Sequence, residues 1–205
     1  MLLCDIGNTS FHFLDDSSEY KKDVITFNPK DIKEVVYYIC VNQAVQESLN
    51  HLDNWIDISI YIDKSKYYET MGIDRIFACE ALNNSIIIDA GSAITVDLVK
   101  NGIFEGGFIY PGVIAMQKTY KNISPALDYS FNFELDLDKM PKNSRDAISY
   151  AYLKTFYSEV VSHDMEIVLT GGDAKKFALL FKDAKVNERL IFDGMKKIIK
   201  KVDLC

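Results

Sequence analysis

No glycine in this 205-residue chain is followed by lysine, and no G-x-G-x-x-G occurs anywhere. The phosphate loop of P-loop proteins and the dinucleotide-binding fingerprint therefore both fail on their minimal requirements. Cysteine and histidine are sparse and scattered. Cys4, Cys40, Cys79 and Cys205 form no C-x-x-C pair, and His12, His51 and His163 are far apart. Reduced thiols are expected, with no disulfide framework, zinc site or Ser-His-Asp triad.

There are only four prolines and no Pro/Gly/Ser-rich linker, so any domain boundary has to lie between packed lobes. Apolar stretches such as Ile86 to Ile88 and Gly106 to Met116 fall well short of the roughly 18–20 residues a membrane helix needs. The N-terminus carries no basic segment before "LLCDIG", so no secretory signal is expected and the expected location is the cytoplasm. Basic side chains are outnumbered, 23 against 30, for a formal net charge of -7. That balance argues against a nucleic-acid partner, and any anionic ligand must be held by a local positive potential.

What the chain does contain is one short pattern twice. "LLCDIGNTSF" and "IIIDAGSAIT" each run from apolar residues through Asp, a spacer and Gly to small polar residues. Setting Leu3 to Asp15 against Ile87 to Val99 places Asp5 on Asp89, Gly7 on Gly91, Asn8 on Ser92 and Thr9 on Ala93, about 84 residues apart. Each copy reads as a buried strand, a tight turn and a second, alternating strand. Helices are expected over "DIKEVVYYICV", "RIFACEALNN", "RDAISYAYLKTFYSEVVS" and "DAKKFALLF", and a strand over "MEIVLTGG". The mixture implies an α/β protein with helices packed on sheets.

A strand ending in Asp-x-Gly followed by hydroxyl or amide side chains suits phosphate and its counter-ion. Gly lets backbone N–H groups approach an anion, Ser or Thr adds donors, and the carboxylate holds a hydrated cation. A single Asp-x-Gly is a common turn. Two in matching register are much harder to explain that way. Three further segments stand out: "GIDR" at Gly72 to Arg75, "GGFIYPG" at Gly106 to Gly112, and "LTGGDA" at Leu169 to Ala174. The first sets a carboxylate beside a guanidinium ahead of a helical pattern, a pairing that can accept a proton and bind an anion. It also reads as an ordinary charge pair at a helix start. The other two read as a glycine-punctuated loop and a strand-to-helix turn, each suited to lie against a flat ligand or to be only a tight connection.

In order, D-x-G-N-T, G-x-D-R, D-x-G-S-A-x-T-x-D, G-G-x-I-x-P-G and T-G-G-D-A resemble the signature set of the type III pantothenate kinases, within the superfamily of acetate and sugar kinases, heat-shock chaperones and actin. The resemblance implies two ribonuclease-H-like domains related by pseudo-twofold duplication with a nucleotide cleft between them, here drawn as 1–83 and 84–205. It implies ATP-dependent phosphorylation of pantothenate, the first step of coenzyme A biosynthesis, in a homodimer.

By the same resemblance the ATP-binding residues are Asp5, Ile6, Gly7, Asn8, Thr9, Ser10, Phe11, His12 and Ser92. Asp5 would hold Mg2+ through water, and Asp89 would ligate a monovalent cation, K+ or NH4+. Pantothenate would be bound by Tyr68, Gly72, Ile73, Asp74, Arg75 and Ser144, with Asp74 as general base. Arg75, ahead of Arg145, is the candidate for the substrate carboxylate. The chain is shorter than typical members and lacks the Asn-Pro often found before GIDR; Tyr67 and Tyr68 share the neighbourhood where the family places a substrate-contacting Tyr. Two other readings compete: a catalytically silent nucleotide-binding regulatory relative, and a kinase of another small alcohol on the same fold.

Overall fold

The structure is a computed structural model and describes residues 1–16 and 18–204. Cys4, Cys40 and Cys79 are free thiols, while Cys205 lies outside the described residues. No helix among them is long and apolar enough to cross a membrane.

The chain divides into two compact units, Met1–Leu82 with Arg189–Cys205, and Asn83–Glu188. In the first, β1 (Leu2–Ile6), β2 (Ser10–Asp15), β3 (Ser18–Asp23), β4 (Val36–Cys40) and β5 (Trp55–Asp57) form one sheet in the order β3-β2-β1-β4-β5. β1 is antiparallel to β2 and parallel to β4. Helices α1 (Gln43–Leu49) and α2 (Ile73–Ala81) follow β4 and β5.

The 31–41 segment corrects the sequence reading: its Val36–Cys40 portion is a central strand, in register Leu2↔Val36 through Ile6↔Cys40, and not a helix. The run Val-Tyr-Tyr-Ile is β-branched and aromatic, which packs well on a pleated surface and poorly against a helical turn. Cys4, Ile6, Phe11, Phe13, Tyr38 and Trp55 close the core on one face of this sheet.

The second unit repeats the plan. Its strands are β6 (Ser85–Ala90), β7 (Ala93–Lys100), β8 (Ile103–Pro111), β9 (Ile167–Thr170) and β10 (Lys185–Val186). Counted from the first strand of each unit, both sheets run 3-2-1-4-5, with the first strand antiparallel to the second and parallel to the fourth. Helices α3 (Val113–Ile123), α4 (Ser144–Val161) and α5 (Ala174–Leu180) complete the unit. Ile86, Ile88, Ala90, Ile94 and Val96 pack with Tyr152, Leu153 and Phe156 of α4 and Phe177 of α5. Full burial of each large apolar side chain contributes about 1.5–3 kcal/mol.

GGFIYPG is not a loop. Through Pro111 it is the edge strand β8, paired Leu98↔Gly106 to Ala93↔Pro111, and only Gly112 lies beyond the ladder.

The last helix, α6 (Leu190–Lys201), returns to the first unit. The sequence places the boundary at 83/84 and the second lobe through residue 205, whereas residues from Arg189 on group with the first unit. There α6 packs its Leu190, Phe192, Met195, Ile198 and Ile199 side inward, and Gly194 lets its backbone close on the Phe77 carbonyl of α2. Lys197 Nζ donates to the Glu80 carbonyl at 2.6 Å and Arg189 Nε to Glu19. Tyr37 Oη donates to the Leu204 carbonyl at 2.9 Å.

Candidate functional site

In the first unit, β1 carries Asp5 to the end of a hairpin. The Ile6↔Phe11 pair closes it, leaving residues 7–10 as the loop. Gly7 N–H donates to the Ser10 carbonyl at 3.0 Å, and the Thr9 carbonyl accepts from Val24 N–H at 3.0 Å. Asn8 and Thr9 are exposed, and Asp5 is partly exposed. His12 pairs directly across from Asp5. Its Nε2 is 3.0 Å from Glu19 Oε2 and its ring packs edge-on to Phe192 at 4.9 Å. Burial, then the neighbouring Lys21 charge, holds the His12 imidazole below its ordinary pKa, against the opposing pull of Glu19.

In the second unit the Ala90↔Ile94 pair closes the hairpin around residues 91–93. Gly91 N–H donates to the Ala93 carbonyl at 3.1 Å, and Ser92 is exposed. This loop is one residue shorter than the first. The repeat therefore matches residue for residue at Asp and Gly but is displaced by one on the return strand, so Thr9 and Ala93 are not equivalent. Asp5 faces His12, whereas Asp89 faces Thr95.

Two other motifs meet the second loop. Gly112, just beyond β8, lies so close that a methyl there would come within 2.6 Å of the Gly91 carbonyl and also strike the Ser92 carbonyl. Gly171 has φ +86, a left-handed conformation that L side chains adopt poorly. A methyl on it would run into Asp89 Oδ1 and come within 2.7 Å of the Ala90 carbonyl. Asp173 N–H donates to that same carbonyl at 2.9 Å. D-A-G-S, P-G and T-G-G-D are thus one structure. Tyr152 of α4 adds a tie, donating its hydroxyl to the Pro111 carbonyl at 2.6 Å, and burial raises its pKa.

GIDR opens α2 with Gly72 as N-cap and no side-chain cap. Asp74 supplies the acceptor the cap lacks, taking the Arg75 N–H on Oδ1 at 2.8 Å. A carboxylate in the first turn also complements the helix dipole. Arg75 is buried, only 6% exposed, and donates from Nη1 to the Tyr68 hydroxyl. Tyr67 turns elsewhere, donating to Glu80 Oε1 at 3.0 Å, and burial drives its pKa well up. The structure therefore joins Tyr68, Asp74 and Arg75 and separates Tyr67 from them.

Ser144 occupies the first turn of α4, exposed. Asn143 caps that helix by accepting Asp146 N–H at 2.9 Å, and the amides of Asn132 and Asn143 hold the Asp146 carboxyl below its ordinary pKa. Arg145 is exposed and donates to the Ser130 carbonyl at 3.3 Å.

A groove of about 980 Å³ in the same unit, floored by Phe133, Tyr157, Met165 and Phe181, includes none of the motif residues.

Among the described residues no three His, Cys, Asp or Glu side chains cluster as an ion cage. A single carboxylate at the end of β1 fits Mg2+, which is commonly held by one or two carboxylates together with substrate phosphates. Hydroxyl side chains flank Asp89 on both neighbouring strands. Thr95 and Thr170 are its direct strand partners on β7 and β9, and the Thr95 hydroxyl is buried without a hydrogen-bond partner. A hard cation suits that set.

Comparison with known proteins adds the following. The model of a family described as type III pantothenate kinase matches residues 29–162. The chain is 64% identical over 205 residues to a type III pantothenate kinase of Sulfurimonas denitrificans, covering 100% of each. It is 40% identical over 202 residues to one from Campylobacter jejuni, covering 98% of this chain and 97% of the other. A crystal structure from Campylobacter jejuni, described as a Baf family transcriptional activator, superposes with TM-score 0.89 at 38% identity and full coverage of both chains. A Sinorhizobium meliloti structure described as a 2-dehydro-3-deoxygalactonokinase shares the fold at TM-score 0.56 and 9% identity, covering 98% of this chain and 96% of that one.

Proposed function

The chain belongs to the type III pantothenate kinase family, and on that premise we propose how its residues divide the work of phosphorylating pantothenate with ATP, the first step of coenzyme A biosynthesis. The observation that carries the assignment is the start of α2, where Asp74 sits on the Arg75 N–H and buried Arg75 is joined to Tyr68.

Arg75 binds the pantothenate carboxylate. It is a strong local cation in a chain of net charge -7, and its forked guanidinium matches a carboxylate's two oxygens. Tyr68 holds that guanidinium in place. Gly72 and Ile73 shape the helix entrance, and the Ser144 hydroxyl donates to the substrate. Asp74 takes the proton from the primary hydroxyl as its oxygen bonds to the γ-phosphorus of ATP and the bond to the ADP oxygen breaks. The products are 4'-phosphopantothenate and ADP.

Little covalent work is asked of the protein here, so positioning and charge are nearly the whole requirement. The strand end and loop from Asp5 through Ile6, Gly7, Asn8, Thr9 and Ser10 to Phe11 and His12 cradle the nucleotide phosphates, with Ser92 adding a hydroxyl. Asp5 would hold Mg2+, and Asp89 would hold K+ or NH4+. When bound, these ions neutralise phosphate charge. The working unit is a homodimer in the cytoplasm.

The test is direct measurement of phosphopantothenate from ATP, Mg2+ and pantothenate, with K+ or with Na+ alone. K+-dependent product is the expected result. Product formed equally well in Na+ would remove the monovalent-cation assignment, and no product in either would overturn the enzyme assignment.

A further inference from the structure

Thr95 Oγ1 is a buried side-chain oxygen without a hydrogen-bond partner among the described residues. Leaving such a hydroxyl unpaired is unfavourable, and buried polar groups in folded proteins are as a rule satisfied. Its position gives the cost a purpose. Thr95 is the direct cross-strand partner of Asp89, and Thr170 is the partner of Asp89 on the other side. Directly paired residues on neighbouring strands point to the same face, with Cβ atoms about 4.5–5.5 Å apart in an antiparallel pair such as β6–β7. Three oxygen-bearing side chains therefore stand in one row across β7, β6 and β9. The packing of Gly171 against the Asp89 carboxylate and the Ala90 carbonyl limits the freedom of the middle member. On the opposite face Ile86, Ile88, Ala90, Ile94 and Val96 are apolar core.

We infer that Thr95 is a further ligand of the monovalent cation, its Oγ1 lone pair directed to the ion that Asp89 holds. This rests on the cation role proposed above for Asp89. The equivalent place opposite Asp5 is taken by His12, whose Nε2 is engaged with Glu19. The two sheets therefore differ at both positions flanking the carboxylate, His12 and Ile39 beside Asp5 against the hydroxyl-bearing Thr95 and Thr170 beside Asp89. A cation held there would accept the lone pair of this hydroxyl, so binding would offset the cost of leaving it unpaired.

Thermal unfolding of the whole protein is followed while KCl or NaCl replaces choline chloride at constant ionic strength, for the wild type, Thr95→Val, Thr95→Ser and Asp89→Asn. The wild type is expected to show a K+-specific rise in midpoint. Thr95→Ser keeps it. Thr95→Val, which fills the same volume without the oxygen, shifts the K+ concentration at half effect upward at least tenfold. In choline alone Thr95→Val unfolds at or above the wild-type temperature, because it removes an unsatisfied polar group; that result also shows that the variant is folded. A Thr95→Val protein with the wild-type K+ response overturns the role of Thr95 and leaves Asp89 untouched. A K+ response preserved in Asp89→Asn, or absent from the wild type, overturns the cation site itself and the Thr95 inference with it. Should Thr95→Val fail to fold in choline, the cavity-making Thr95→Ala is read against Thr95→Ser, and equal K+ responses in those two overturn the inference.

Discussion

Gly171 is packed so closely against the carboxylate of Asp89 that a methyl group there would collide with it, and its φ of +86 strains any residue that carries a side chain. The T-G-G-D turn thus orients the second Asp-x-Gly loop from within the same unit. Gly171→Ala is expected to lower the unfolding free energy by about 1–3 kcal/mol, the range for a strained backbone position. It should also weaken the dependence of activity on K+ by displacing Asp89. Urea unfolding and a K+ titration of turnover check the two effects. A variant matching the wild type in both would contradict the close packing.

Asp74 is the carboxylate at the mouth of α2, beside a guanidinium held by Tyr68. Asp74→Asn is expected to reduce turnover by roughly a hundredfold to ten-thousandfold, the usual contribution of a general base, while ATP affinity stays near the wild-type value. Single-turnover kinetics and a nucleotide-binding titration separate the two. An undiminished rate removes Asp74 from proton transfer.

The adjacent tyrosines give an internal control. Tyr68 reaches Arg75, whereas Tyr67 reaches Glu80. A hydrogen bond to a charged group contributes about 1.5–3 kcal/mol, so Tyr68→Phe should raise KM for pantothenate roughly 10–100-fold if the energy is expressed in binding. Tyr67→Phe should leave that KM unchanged. Equal effects from both substitutions would mean that Tyr68 has no special part in holding the substrate.

His12 predicts a pH dependence of stability. Burial and Lys21 lower its folded pKa below the ordinary value of 6.5. The unfolded chain therefore binds the proton more readily than the folded one. The contribution of the neutral ring is fully present above the unfolded pKa and is lost as pH falls from about 6.5 toward the folded pKa. His12→Gln should lose less unfolding free energy than the wild type between about pH 7.5 and pH 5.5. Urea unfolding at the two pH values measures the difference, and equal losses would rule out His12 as its source.

Much of this molecule was legible in its sequence because the decisive signals are local. Asp5 and Asp89, each ahead of a Gly, mark strand ends through backbone chemistry that needs no knowledge of the rest of the chain. The α4 stripe of Ile148, Tyr152, Phe156 and Val160 has helical spacing, and all four are buried. The duplication suggested by two short strings appears as two sheets of the same strand order.

Long-range partners decided the rest. Local pattern did not separate a helix from a strand at Val36–Cys40; parallel pairing with β1 did. Nor could it show that α6 would pack on α2, about 110 residues earlier in the chain, since amphipathicity specifies a buried face but not what covers it. Composition and spacing determined the residue types available for phosphate, cation and carboxylate chemistry. Tertiary structure alone decided that Tyr68 rather than Tyr67 meets Arg75, that Gly112 and Gly171 close on one loop, and that Thr95 rather than Val96 faces Asp89. These are relations of register and contact, set by strand pairing and packing across the fold and not by neighbours in the chain.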